Sequence, residues 1–245
     1  MAYDLSEVIN QLEEIKARGF IRTHRSGPTG IGKTIEDLLG ITENNVASAD
    51  LEDLGELKAY RRGQSRGQTS RITLFTKTPQ PARINGVLLD LYGYYDSNRN
   101  RNKILHTTLD ASEGFNNVNQ TGYGFKVFAD ENKLHLLSNF PKQVEAYWNM
   151  DDLRRCFETK LPKLFVVIAD TNKQKGANEH FHYSEAYIFE GLNFERFIQA
   201  INEGLIKIDI RIGQYPNGRI HDHGTAFRIM PDSLLDLFAN KIKLL

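Results

Sequence analysis

Leu5, Val8, Ile9, Leu12 and Ile15 recur at the three- and four-residue steps of one helical stripe, with Asp4 and Glu7 spaced as a capping box before them and Gly19 after them. The pattern predicts a core-facing helix. A shorter helix is expected over Thr34 to Leu39, stopped by Gly40, followed by an extended segment around Leu54 to Tyr60. Ile72 to Phe75 and Phe125 to Phe128 read as strands, and Leu164 to Ala169 is a continuous apolar run short enough for a fully buried central strand. Phe194, Phe197, Ile198 and Ile201 mark a second amphipathic helix that Gly204 ends. Ile206, Ile208, Ile210 and Ile212 then alternate with Lys207, Asp209 and Arg211, the period of a strand with one buried and one polar face. Strands and helices so mixed predict an α/β or α+β protein, without internal repeats or a linker long enough to separate independent domains.

At 245 residues with 40% hydrophobic side chains, the chain can bury a sizeable core without staples. The single Cys156 excludes an internal disulfide and a thiolate metal site. No apolar run approaches the roughly 20 residues of a membrane span, and the polar start at Met1-Ala2-Tyr3-Asp4 has no signal-peptide character, so a cytoplasmic location is expected. Thirty-one basic residues balance 31 acidic ones, yet the balance is uneven. From Leu57 to Leu89 there is no acidic residue, while Lys58, Arg61, Arg62, Arg66, Arg71, Lys77 and Arg83 are interleaved with Gly, Gln, Ser and Thr. Arg99, Arg101 and Lys103 follow. Such a stretch is either a solvated loop or a track for phosphates.

Gly27 to Thr34 reads GPTGIGKT, which fits the phosphate-loop pattern G-x-x-x-x-G-K-[ST]. Its context does not fit. A phosphate loop needs a buried strand before it and a long helix after it, whereas here Arg22, His24 and Arg25 precede, and the short helix carries Glu36 and Asp37 where they oppose a triphosphate. A nucleotide-binding protein is therefore the weakest of the alternatives. Asp50 to Lys58 offers different chemistry. On a strand Glu56 and Lys58 share a face, and two carboxylates beside a lysine suit Mg²⁺ and an activated water. Alone, E-x-K usually marks the solvated face of a strand.

The run from Gly30 to Gly40 (GIGKTIEDLLG), the segment Asp50 to Lys58 ending GELK, and Leu74 to Pro79 together resemble the catalytic lobe of the MvaI/BcnI family of type II restriction endonucleases, relatives of the repair nickase MutH. Asp209 to Gly213 and His221 to Ile229 resemble the same family's recognition segment. The resemblance implies a PD-(D/E)xK nuclease core, a mixed sheet flanked by helices with two lobes forming a cleft around double-stranded DNA. The approximate catalytic lobe would be residues 1–110 and the recognition lobe 160–245, with 111–159 unassigned. It further implies catalysis by Asp50, Glu56, Lys58 and Glu36, with Mg²⁺ held by Asp50 and Glu56. Ala49 stands where the motif has its nominal proline, and Asp53 is an alternative ligand to Asp50.

Arg211, His221, His223 and Arg228 are candidate readers of base edges, because Arg and His can donate to guanine O6 and N7 in the major groove. The H-x-H spacing would also suit zinc, as would His180 and His182, for which a strand packed on one side is the favoured reading. Arg61, Arg62, Arg66 and Lys77 are assigned to phosphates. The expected protein is a prokaryotic, Mg²⁺-dependent, monomeric endonuclease cutting a CCNGG-like site, with CCWGG favoured, and a cognate DNA methyltransferase as companion. A MutH-like nickase and a non-catalytic DNA-binding module are the alternatives.

Overall fold

The capped stripe at the N-terminus folds as its periodicity requires. In the computed structural model, which describes residues 3–41, 49–62, 71–95, 102–119, 121–139, 141–172 and 178–245, helix α1 (Leu5–Ala17) starts where Glu7 N donates to Asp4 Oδ1 at 3.1 Å and buries Val8, Leu12 and Ile15. Then come β1 (Ile21–Arg22), α2 (Gly30–Leu38), β2 (Glu56–Arg61), β3 (Ile72–Thr76), α3 (Ile84–Tyr92), β4 (Tyr94–Tyr95), β5 (Lys103–Leu109) and β6 (Asn116–Asn117). The hairpin strands β7 (Gly124–Ala129), β8 (Lys133–Ser138) and β9 (Glu145–Asn149) lead into α4 (Met150–Lys160). The chain ends with β10 (Lys163–Asn172), β11 (His180–Glu190), α5 (Phe194–Asn202), β12 (Ile206–Gln214), β13 (Ile220–Asp222), β14 (Ala226–Ile229), α6 (Leu234–Leu237) and β15 (Asn240–Lys243).

The chain divides into two compact units that are not contiguous in sequence. The first comprises residues 1–72, 157–193 and 230–245, the second 73–156 and 194–229. This division cuts across the sequential lobes expected above, since 73–110 falls in the second unit and β10 and β11 fall in the first. Among the described residues, the first unit holds a mixed sheet in the order β1-β11-β10-β2, with β15 also on β11. The apolar run Leu164 to Ala169 is its buried centre, antiparallel to β11 and parallel to β2. Leu57 of β2, Phe165, Val167 and Ala169 of β10, and Phe181 and Tyr183 of β11 form one core with α1 and α2. Strand alternation therefore turns Glu56, Lys58 and Tyr60 to the face away from those helices.

The second unit, among the described residues, contains a sheet in the order β3-β14-β12-β5-β4, with β13 on β12, and an antiparallel sheet β6-β7-β8-β9. Phe75, Phe197, Phe227 and Trp148 pack ring against ring between them, with centroids 4.9 to 6.1 Å apart. Ile206, Ile208, Ile210 and Ile212 are buried as their alternation requires. The opposite face is less open than alternation alone suggests: Asp209 is only 6% exposed. No helix among the described residues is long and apolar enough to cross a membrane.

Candidate active site and recognition segment

Most of the phosphate-loop look-alike is helix. Helix α2 begins at Gly30, four residues earlier than expected, and so contains Gly30, Gly32, Lys33 and Thr34 within its turns. A Cβ at residue 30 would collide with Arg25 O, which is why glycine stands at this close approach. Thr34 Oγ1 donates to Gly30 O at 2.7 Å and accepts from His24 N at 2.9 Å. Lys33 pairs with Asp37 at 2.7 Å, and this bond, with a second from His24, holds the Asp37 carboxyl below its usual range. The groups that would cradle a phosphate are thus spent on the helix itself. Glu36 lies on α2, which packs on β2, and its charge is felt by the buried Tyr183 hydroxyl.

A tight turn at Glu52–Leu54 delivers the chain to β2 through Gly55, whose φ of +113° and whose contact with the Lys163 carbonyl leave no room for a side chain. Gly55→Ala should cost about 2 kcal/mol or more in a urea titration, because strain and collision act together. Directly after this turn Glu56 is 4% exposed, with Lys58 Nζ 2.7 Å from Oε1 and Lys160 Nζ 2.9 Å from Oε2. Asp50 Oδ2 accepts from Leu57 N at 3.2 Å. Burial first, and then the charge of Glu56, push the Asp50 carboxyl up from its ordinary value, while Lys58 and Lys160 pull it back. Asp50, Glu56 and Lys58 therefore form one electrostatic unit. Asp53, on the turn, instead lines an adjacent pocket of about 450 Å³ with Glu52, Glu158 and Lys163.

Lys160 is the member that sequence reasoning missed. It closes α4 with no motif of its own, 104 residues from Glu56. The parallel register that sets Leu164 opposite Glu56 brings the end of α4 to the start of β2. Only knowledge of that pairing reveals it.

The basic stretch does not act as one patch. Arg61, assigned above to phosphates, is engaged within the protein: its Nε and Nη2 grip Glu179 at 2.7 and 2.8 Å, Nη1 donates to Pro28 O at 3.1 Å, and Phe181 lies beneath it. With its donors so committed, only 11% of the side chain is exposed. Arg62 bridges Asp170 at 2.8 Å and Glu185 at 2.6 Å but keeps 42% of its side chain exposed. Arg66, Arg99 and Arg101 lie outside the described residues. Lys77 is one-third exposed and 3.5 Å from Asp152.

In the second unit, Arg211 of β12 spends Nε and Nη2 on the carbonyls of Gly224 and His223, at 2.9 to 3.3 Å. Burial, and then the charge of Arg228, pull its pKa down from the ordinary arginine value. Arg228 Nη1 donates to the buried Asp209 at 2.6 Å. The His221 ring lies against Tyr215, with centroids 4.3 Å apart, and meets the His223 ring edge to face at 4.7 Å. Burial, and then the charge of His223, hold the His221 pKa below its ordinary value against an opposing pull from Asp222. His180 and His182 alternate with the buried Phe181 and Tyr183, as a strand packed on one side. Among the described residues no group of three or more His, Cys, Asp or Glu converges as a metal cluster, so neither H-x-H pair forms one.

The MvaI/BcnI restriction endonuclease family matches residues 9–238. A solved structure described as a restriction endonuclease MvaI–cognate DNA substrate complex is 32% identical over 100% of both chains, with a TM-score of 0.86. A second, of restriction endonuclease MvaI in the absence of DNA, is 31% identical over 100% of this chain and 99% of that one, with a TM-score of 0.58. No curated protein matches. The mixed sheet, the acid–acid–lysine unit at the start of β2 and these full-length likenesses agree: the chain belongs to the MvaI/BcnI restriction endonuclease family of DNA-cleaving hydrolases, with a PD-(D/E)xK-type fold.

Proposed function

We propose that this protein hydrolyses phosphodiester bonds of double-stranded DNA with Mg²⁺ at a short CCNGG-like site, CCWGG being the favoured form. The observation that carries the reading is the grouping of Asp50, Glu56 and Lys58 at the entrance of β2 in a chain of this family. The donor set fits the metal. Asp50 and Glu56 offer hard carboxylate oxygens, and Mg²⁺ is commonly held by one or two carboxylates, with substrate phosphate and water completing its shell. The two lysines on Glu56 supply the positive charge that the buried Glu56 and half-buried Asp50 need when no cation is bound. A bound Mg²⁺ polarises the scissile phosphate and acidifies a water. Lys58 Nζ, held on Glu56 Oε1, would orient an attacking water and offset charge growing on the phosphate oxygens. Glu36 is proposed as a further acidic residue of the site.

His221 and His223 would read base edges, as would Arg211 and Arg228. Arg62 and Lys77 are the described candidates for phosphates, together with Arg66. The protein is proposed to act as a monomer that cuts the two strands in turn, protected against by a cognate methyltransferase in a prokaryotic cytoplasm.

A duplex with one CCAGG site and a separate label on each strand tests this. Cleavage of both strands, dependent on Mg²⁺, is expected; cleavage of one strand only would mark a nicking enzyme, and none would overturn the reading. Asp50→Asn should separate catalysis from stability. The amide keeps an acceptor for Leu57 N and removes a buried charge next to Glu56. The variant should melt a few degrees higher than wild type without metal, show no Mg²⁺ binding by calorimetry and cut no DNA.

A further inference from the structure

We infer that Asp222, between the two histidines, is the positioning residue that holds His221 and His223 as one reading surface; this rests on the recognition role proposed above. Strand β13 is three residues long and pairs only with β12 among the described residues, through Gly213 opposite His221 and its neighbours. So short an edge strand cannot fix its own side chains to the accuracy that base contacts demand. Alternation puts His221 and His223 on one face of the segment and Asp222 on the other.

The Asp222 carboxylate is then the anchor. Its Oδ1 accepts from Gly224 N at 2.8 Å and closes the turn after His223. Its Oδ2 accepts from Asn85 Nδ2 of α3 at 2.7 Å and from Thr78 Oγ1, beyond β3, at 3.1 Å. Two other segments of the same unit thereby grip the histidine segment through one side chain. The Asn85 amide is turned to Asp222 even though its own Oδ1 is buried without a hydrogen-bond partner among the described residues. From the other side Arg211 holds the carbonyls of His223 and Gly224. The His221 ring rests over Gly213, where a Cβ would stand 2.6 Å from Nε2, and against Tyr215 and His223. A carboxylate accepting three bonds, two of them from outside the turn, fixes both the height and the tilt of the histidine face.

The test compares Asp222→Ala with Thr78→Val and Asn85→Ala, which remove the anchor's partners without altering the segment, and with His221→Ala and His223→Ala. Each is assayed for kcat/KM on a CCAGG duplex and on duplexes with one base pair changed, and the histidine ring signals are recorded by ¹H–¹³C NMR without DNA. Asp222→Ala is expected to lower kcat/KM on the CCAGG duplex by about 10- to 100-fold, to shrink its preference over altered duplexes, and to move the His221 and His223 signals. Thr78→Val and Asn85→Ala should shift both readouts in the same direction by less, and they carry the test if Asp222→Ala does not fold. If the histidine variants lose discrimination while Asp222→Ala and its partners keep it with unmoved signals, the anchoring role fails and base reading stands. If the histidine variants keep discrimination, base reading fails and the inference falls with it.

Discussion

Lys58→Ala should lower the rate of DNA cleavage by about 10²–10⁴-fold while leaving duplex binding in Ca²⁺ nearly unchanged. The side chain is 21% exposed and its Nζ sits 2.7 Å from Glu56 Oε1. Truncation keeps Lys160 on the other Glu56 oxygen, so the buried carboxylate still has a counter-charge and the sheet stays intact. What disappears is the donor beside the two carboxylates. Lys58→Arg should not restore the rate, because a planar guanidinium cannot take the place of a compact ammonium in this crowded corner. Pre-steady-state cleavage on a single-site duplex separates the chemical step from product release. Lys160→Ala is the comparison: an equal loss from both variants would mean that charge balance at Glu56, rather than a group specific to Lys58, governs the rate.

Arg228→Ala should destabilise the protein by about 3–5 kcal/mol, well beyond the cost of an ordinary arginine substitution. Its partner Asp209 has a side chain only 8% exposed, and truncating the arginine strips a direct counter-charge from a carboxylate that cannot reach water. Arg196 and Glu203 form a pair of similar length, 2.7 Å, but their side chains are 29% and 44% exposed, and breaking it should cost far less because water screens it. Equilibrium urea unfolding of both variants checks the contrast. Adding Asp209→Asn to Arg228→Ala should recover part of the loss, since the uncompensated charge goes with it. Binding assays on Arg228→Ala belong well below its melting transition, where any remaining weakening, about 1–3 kcal/mol, reports a base contact.

Legibility in the sequence followed the range of the interactions. The N-terminal helix, the buried strand at Leu164 to Ala169 and the isoleucine alternation at 206–212 were readable because cap, run length and period are local signals. Strands β8 and β9 carried the same alternation, with Leu134, Leu136, Ala146 and Trp148 buried, yet lay in the stretch left unassigned. Gly30 and Gly32 obscure the start of α2, since glycine is a poor helix residue, and Gly30 is explained only by its close approach to Arg25. Asp50, Glu56 and Lys58 stand close enough in sequence to be named together. Lys160 with Glu56, Arg61 with Glu179, and Asp222 with Thr78 and Asn85 are distant partners created by strand pairing. The sequence around Arg61 therefore carries no sign of its pairing with Glu179.

Plasmid DNA containing CCNGG sites, incubated with the purified protein with and without Mg²⁺ and in the absence of ATP, and followed by end-mapping of the products, tests the central claim most directly. The account predicts discrete fragments that need Mg²⁺ and end at those sites. A plasmid left intact with every divalent cation tried, or cut without regard to sequence, would contradict it.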